Sequence, residues 1–131
     1  MVTATIGKDH YRTELLASGK TIIADEPEEI GGTDSGPAPG EFLMISLASC
    51  TAITLRMYAD RKKWDVTKIR VEVASQKLEF KMQFTREISL EGNLDEDQRQ
   101  RLLQIANSCP VHKTLTNPIE IETSLVKSSN V

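Results

Sequence analysis

The chain has 131 residues, 39% of them hydrophobic and 27% charged, which fits one ordinary globular domain over residues 1–131 and not a disordered tail. Sixteen Lys and Arg against nineteen Asp and Glu leave a formal charge of -3, and the aromatics are one Trp, two Tyr and three Phe; a nucleic-acid binder would want a basic face and stacking rings. No apolar run approaches the roughly 18 residues of a membrane span, and residues 1–7 lack the blocks of a secretory leader, so no membrane is expected and a cytoplasmic location is.

Residues 2–7 are short and Thr-rich and read as a strand. Residues 11–16 and 21–24 read as two more, joined at Ser18-Gly19-Lys20 as a hairpin. Residues 25–40 change character: Asp25-Glu26-Pro27-Glu28-Glu29 suggests a solvated acidic face, and residues 31–40 are turn chemistry throughout. An ordered loop is expected there.

Residues 41–63 form the clearest element. Pro39 is placed to start a helix, and apolar residues from Phe42 to Met57 lie on every side. Asp60-Arg61-Lys62-Lys63 places cations at its C-terminus. An all-round apolar helix is a buried one, and one small sheet cannot cover it. A second subunit is therefore expected to do so.

Residues 69–73 alternate apolar and charged, and residues 78–83 and 85–90 continue in that style, so an antiparallel meander is expected. Residues 95–108 form a second helix, with Asp95 and Gln98 at capping-box spacing. Pro110 breaks it, a short helical turn follows through Leu115, and residues 119–123 alternate again as a last strand.

Two cysteines are too few for a secreted disulfide scaffold and are thiols in a reducing compartment. Cys50 lies within the apolar helix, where a cysteine commonly serves as a small hydrophobe. Cys109 precedes Pro110 at a helix boundary, where a thiol can be both reachable and tuned, and structural use stays open. Cys109 and His112 have a two-ligand zinc spacing, but Cys50 and His10 would have to complete it, so no metal is expected. GxGxxG, Walker A and Gly-x-Ser-x-Gly motifs are missing. Taken together, the cysteines suit another chemistry. A thiolate attacks a peroxide O–O bond, becomes a sulfenic acid, and condenses with a second thiol. That requires the two helices to lie side by side, with a cation nearby and a carboxylate to fix it. Arg12 and Arg56 are the first candidates for the cation.

Four segments carry a resemblance: Gly31-Gly32-Thr33-Asp34-Ser35-Gly36-Pro37-Ala38-Pro39-Gly40-Glu41-Phe42-Leu43, Leu47-Ala48-Ser49-Cys50-Thr51, Thr54-Leu55-Arg56-Met57-Tyr58-Ala59-Asp60-Arg61-Lys62-Lys63-Trp64, and Cys109-Pro110-Val111-His112-Lys113-Thr114-Leu115. They resemble the OsmC/Ohr family of osmotically inducible proteins C and organic hydroperoxide reductases, in its YhfA-like branch. The resemblance implies an α+β fold, antiparallel sheets wrapped around two central helices, and an intertwined homodimer with sites at the interface. It implies reduction of organic hydroperoxides by a dithiol, without metal or organic cofactor. Cys50 then resembles the peroxidatic cysteine and Cys109 the resolving one. Arg12 falls near the family's N-terminal Arg. Where the reductases carry the Glu that pairs with that Arg, this chain has Gly40, and the nearest carboxylate is Glu41. One residue turns a helix face by about 100°. The alternative is a dimer of the same fold that binds a small molecule or acts in stress response without peroxidase activity.

Overall fold

The computed structural model describes residues 1–127. Strands β1 (Val2–Ile6), β2 (Thr13–Ala17) and β3 (Lys20–Ala24) form an antiparallel sheet in that order. Ala17 pairs with Lys20, leaving Ser18 and Gly19 as a two-residue turn with φ of 51° and 75°. Positive φ at both positions matches the twist of the flanking strands. The sheet keeps much apolar surface open, with Val2, Ile6, Leu16 and Ile22 all exposed.

The following loop is ordered by Asp25, which is buried, not on the solvated face that the acidic run suggested. Its carboxylate accepts hydrogen bonds from the Ser35 hydroxyl at 2.6 Å, the Thr33 hydroxyl at 2.7 Å and the Glu26 N–H at 2.7 Å. The Ser35 and Thr33 N–H groups complete the set. Five donors on one carboxylate offset its desolvation. Gly32 and Gly36 lie directly against the backbones of Glu26 and Ile23, where a side chain would collide.

Helix α1 spans Pro39–Lys62. Pro39 occupies its first turn, and the Glu41 carboxylate accepts the Ala38 N–H at 3.0 Å. Lys63 ends it with φ of 58°. By length and composition α1 would suffice to cross a membrane, which corrects the reading that no apolar run comes near that length. Its packing supplies another reason for that composition, since a strand and two helices lie against it. The helix is not buried on every side, however. Leu47, Thr51, Leu55 and Ala59, spaced by four, are buried, while Leu43, Ile45, Ile53 and Met57 are exposed.

Strands β4 (Asp65–Lys77) and β5 (Met82–Asn93) form one long antiparallel hairpin. The expected third strand over 78–83 does not form. Residues 78–81 make the turn, closed by the Leu78 N–H on the Lys81 carbonyl at 2.8 Å, and Phe80 projects into solvent. Leu78, Phe80 and Met82 carry strand periodicity across a turn that has neither Gly nor Pro.

Helix α2 (Glu96–Ala106) has the expected cap: the Gln98 N–H donates to Asp95 at 2.8 Å, and the Asp95 N–H to Gln98 at 2.9 Å. Helix α3 (Pro110–Leu115) follows. The expected strand over 119–123 does not form, and Ile119 and Ile121 are exposed. Alternation makes a strand only where an edge is available to pair with, and among the described residues no strand pairs with this segment. The core is Leu55 and Ala59 of α1, Val66 of β4, and Leu102 and Ala106 of α2. Two antiparallel sheets with helices make this a mixed α+β fold.

Candidate functional site

The functional cluster forms where α1 meets the junction of α2 and α3. Cys50 lies on α1 and is half-buried. Cys109 is fully buried and is the residue that caps α3. Packing of α1 on α2 and α3 sets the two free thiols beside each other.

Their surroundings differ. At Cys109, burial alone would push the thiol up. The donors around it, the Cys50 thiol, the His112 N–H, the Thr51 hydroxyl and the Val111 N–H, outweigh it and hold Cys109 below the ordinary cysteine range. The His112 N–H stands 3.5 Å from the sulfur. At Cys50, burial and the neighbouring Cys109 sulfur push the thiol up, and the Val111 N–H and Thr54 hydroxyl only partly offset this. The two surroundings thus push in opposite directions, up at Cys50 and down at Cys109. Such a pair titrates as a unit.

Behind the pair stands Arg86 of β5, half-buried. One of its terminal nitrogens donates to the Thr51 hydroxyl at 3.0 Å. The other lies 3.1 Å from the Asn107 carbonyl oxygen and 3.2 Å from Nδ1 of His112. A guanidinium only donates, so Nδ1 accepts and the proton of the neutral ring sits on Nε2. Burial and then the Arg86 charge lower the His112 pKa, which keeps the ring neutral near pH 7. Beside Arg86 and His112 opens a cavity of about 360 Å³, walled by Leu47, Phe84, Leu103 and Leu115.

Of the residues singled out in the sequence, Cys50 and Cys109 meet. Arg12 and Glu41 join neither of them within the protomer. Arg12 pairs with Glu14 at 3.5 Å on the exposed face of the first sheet, and Glu41 serves as the cap of α1. Arg56 donates to the Val66 carbonyl at 2.7 Å and to Asp60 at 3.4 Å, which ties α1 to β4. His10 lies exposed in the turn between β1 and β2. Among the described residues, no group of three or more His, Cys, Asp and Glu gathers as metal ligands would. Arg86 was missed, although the sequence carries a signal for it. Strand alternation puts it in phase with Phe84 and Ile88, on the apolar side of β5.

A family model described as OsmC-like protein matches residues 32–124. No curated protein matches the chain. Among solved structures, an OsmC-like protein from Mycoplasma pneumoniae superposes with a TM-score of 0.76 at 20% identity, covering 88% of this chain and 85% of that one. A Psychrobacter arcticus protein, provisionally assigned to osmotic stress and detoxification responses, gives 0.73 at 24% identity, covering 86% and 85%. The organic hydroperoxide resistance protein OhrB of Bacillus subtilis gives 0.62 at 21% identity, covering 88% and 89%. At these identities the likeness establishes a shared fold, and the family match over most of the chain adds descent to it. This chain belongs to the OsmC-like protein family.

Proposed function

We propose that the protein is a thiol-dependent peroxidase that reduces organic hydroperoxides through a Cys50 sulfenic acid and a Cys50–Cys109 disulfide. One observation carries this reading: two neighbouring free thiols of graded burial, the half-buried Cys50 pushed up and the buried Cys109 held down. The names of structural neighbours from Bacillus subtilis and Legionella pneumophila, both organic hydroperoxide resistance proteins, support the substrate class.

The proposed steps follow from the pair. Cys50 sulfur attacks the distal oxygen of ROOH while its proton passes to the Cys109 thiolate. The O–O bond breaks, sulfur is oxidised to S–OH, and the departing alkoxide takes the proton from Cys109 as ROH. The restored Cys109 thiolate attacks the Cys50 sulfur and expels hydroxide, which solvent protonates to water. A dithiol then reduces the disulfide. Cys109 thus acts first as general base, then as general acid, then as resolving nucleophile. No metal or organic cofactor takes part, and a reducing cytoplasm returns the thiols to their resting state.

The proposal includes a homodimer. The open face of α1, with Leu43, Ile45, Ile53 and Met57, is the surface a second copy would cover. Glu41 borders that face beside Met44, Ile45, Ala48 and Val73. Arg12 and Glu41 are therefore proposed to act across the interface, where one copy's first sheet meets the other's thiols.

Cys50→Ser should abolish hydroperoxide consumption with a dithiol reductant, and turnover like that of the unaltered protein would overturn the proposal. The cavity beside Arg86 favours a second reading, a dimer that binds a small apolar molecule without turning it over. Ligand binding that survives in Cys50→Ser, with no peroxide consumption in either protein, is its signature.

A further inference from the structure

Arg86 is half-buried, and among the described residues its guanidinium has no carboxylate partner, the three ion pairs lying elsewhere. A guanidinium withdrawn from water needs compensation. Here it comes from three neutral acceptors: the Thr51 hydroxyl, the Asn107 carbonyl oxygen and the His112 Nδ1. These three sit on the three segments that carry the thiol pair. Thr51 follows Cys50, while Asn107 and His112 flank Cys109. One side chain therefore ties α1, the end of α2 and the start of α3 together at the cysteines.

The hydrogen bonding also has a direction. Arg86 donates to the oxygen of Thr51, so the single hydroxyl proton of Thr51 faces away from it. That proton has two acceptors within reach, the Leu47 carbonyl at 2.7 Å and the Cys109 sulfur. A donor on the oxygen makes the hydroxyl a stronger donor in turn. On the other side, the guanidinium holds the His112 ring, and the main-chain N–H of the same residue meets the Cys109 sulfur. The titratable groups at that sulfur are Cys50 on α1 and His112 on α3; Arg86 on β5 reaches it through Thr51 and His112, and the end of α2 adds the neutral Asn107.

We propose that Arg86 is a positioning residue of the thiol pair. Through Thr51 and His112 it holds the segments that carry the two cysteines, and with them the His112 N–H against the Cys109 sulfur, and so readies Cys109 to take the Cys50 proton and then to close the disulfide. The last clause rests on the peroxidase reading; the positioning of the sulfur's donors does not.

The test is a titration of the thiols by ultraviolet thiolate absorbance, run without peroxide on the full-length protein and four variants: Arg86→Met, Arg86→Lys, Thr51→Val and the double variant Arg86→Met/Thr51→Val. Arg86→Met should raise the first ionisation by about one pH unit. Arg86→Lys should recover part of that shift, because an ammonium can reach Thr51 without spanning Asn107 and His112 as well. Thr51→Val, near-isosteric at a fully buried position, should reproduce much of the shift. The double variant should shift less than the sum of the two. Titrations of Arg86→Met and Thr51→Val that superimpose on the parent, with unchanged circular dichroism, would overturn the assignment. If Arg86→Met does not fold, Arg86→Lys and Thr51→Val decide it, and a silent Thr51→Val counts against. With peroxide, Arg86→Met should slow disulfide closure about tenfold and raise the fraction of Cys50 trapped beyond the sulfenic acid. A shifted titration in a protein that consumes no peroxide supports the role of Arg86 and refutes only the peroxidase reading.

Discussion

At the scale of single residues, the contrast between Cys50 and Cys109 comes from what faces each sulfur. Both are desolvated, but the donors around Cys109 outweigh that cost and those around Cys50 do not. Hydroperoxide consumption should therefore rise with pH through the first ionisation of the pair and level off below the free-thiol value of about 8.5. Stopped-flow rates across pH check this, and a profile still climbing above that value would contradict it. Asp25 gives a second prediction. Its carboxyl is held far below the usual carboxylate range by Ser35 and Thr33. An acid depressed in the folded state stabilises the fold above its unfolded pKa, and that contribution fades as pH falls through the folded one. Asp25→Asn should lower the urea midpoint at pH 7 and flatten its decline in acid. The cysteines were legible in the sequence because each sits in a motif. The buried role of Asp25 was not, because an acidic run looks the same whether its first residue faces water or five donors. Arg86 was hidden for a related reason: its partners come from three distant segments, and only its phase in β5 marks it.

At the scale of elements, α1 and α2 were readable because their stop and start signals are local. Pro39 and Glu41 act at one end of α1, and Asp95 with Gln98 caps α2. Residues 78–83 and 119–123 misled because alternation reports a capacity to pair and not a partner. Gly40 offers a direct check on α1. It lies within the helix, and a Cβ there would meet nothing within 4 Å. Gly40→Ala should stabilise the protein by up to about 1 kcal/mol. Thermal melting tests it, and a loss of stability would show that another part of the molecule occupies that space. In the core, Leu55→Ala should cost about 2–5 kcal/mol, because Leu55 is fully buried between β4 and α2. Chemical denaturation measures that cost.

At the scale of the whole molecule, the protomer leaves unusual amounts of apolar surface open. The outer face of α1, the first sheet and residues 119–126 all contribute. Exposed apolar patches are where interaction surfaces are found. The expectation that α1 would be buried on all sides fails for one chain, and in the proposed dimer the open face is the one a second copy would cover. Met57→Glu places a charge on that face at a residue 63% exposed in the protomer. Light scattering should show a dimer for the parent chain and a monomer for this variant. A parent that is monomeric at micromolar concentration would contradict the dimer. The cysteine chemistry has a still more direct test. One equivalent of an organic hydroperoxide should convert the reduced protein to a form two hydrogens lighter, with the Cys50 and Cys109 peptides linked by a disulfide in the mass spectrum. A protein that keeps both thiols free after the hydroperoxide is added would contradict the account.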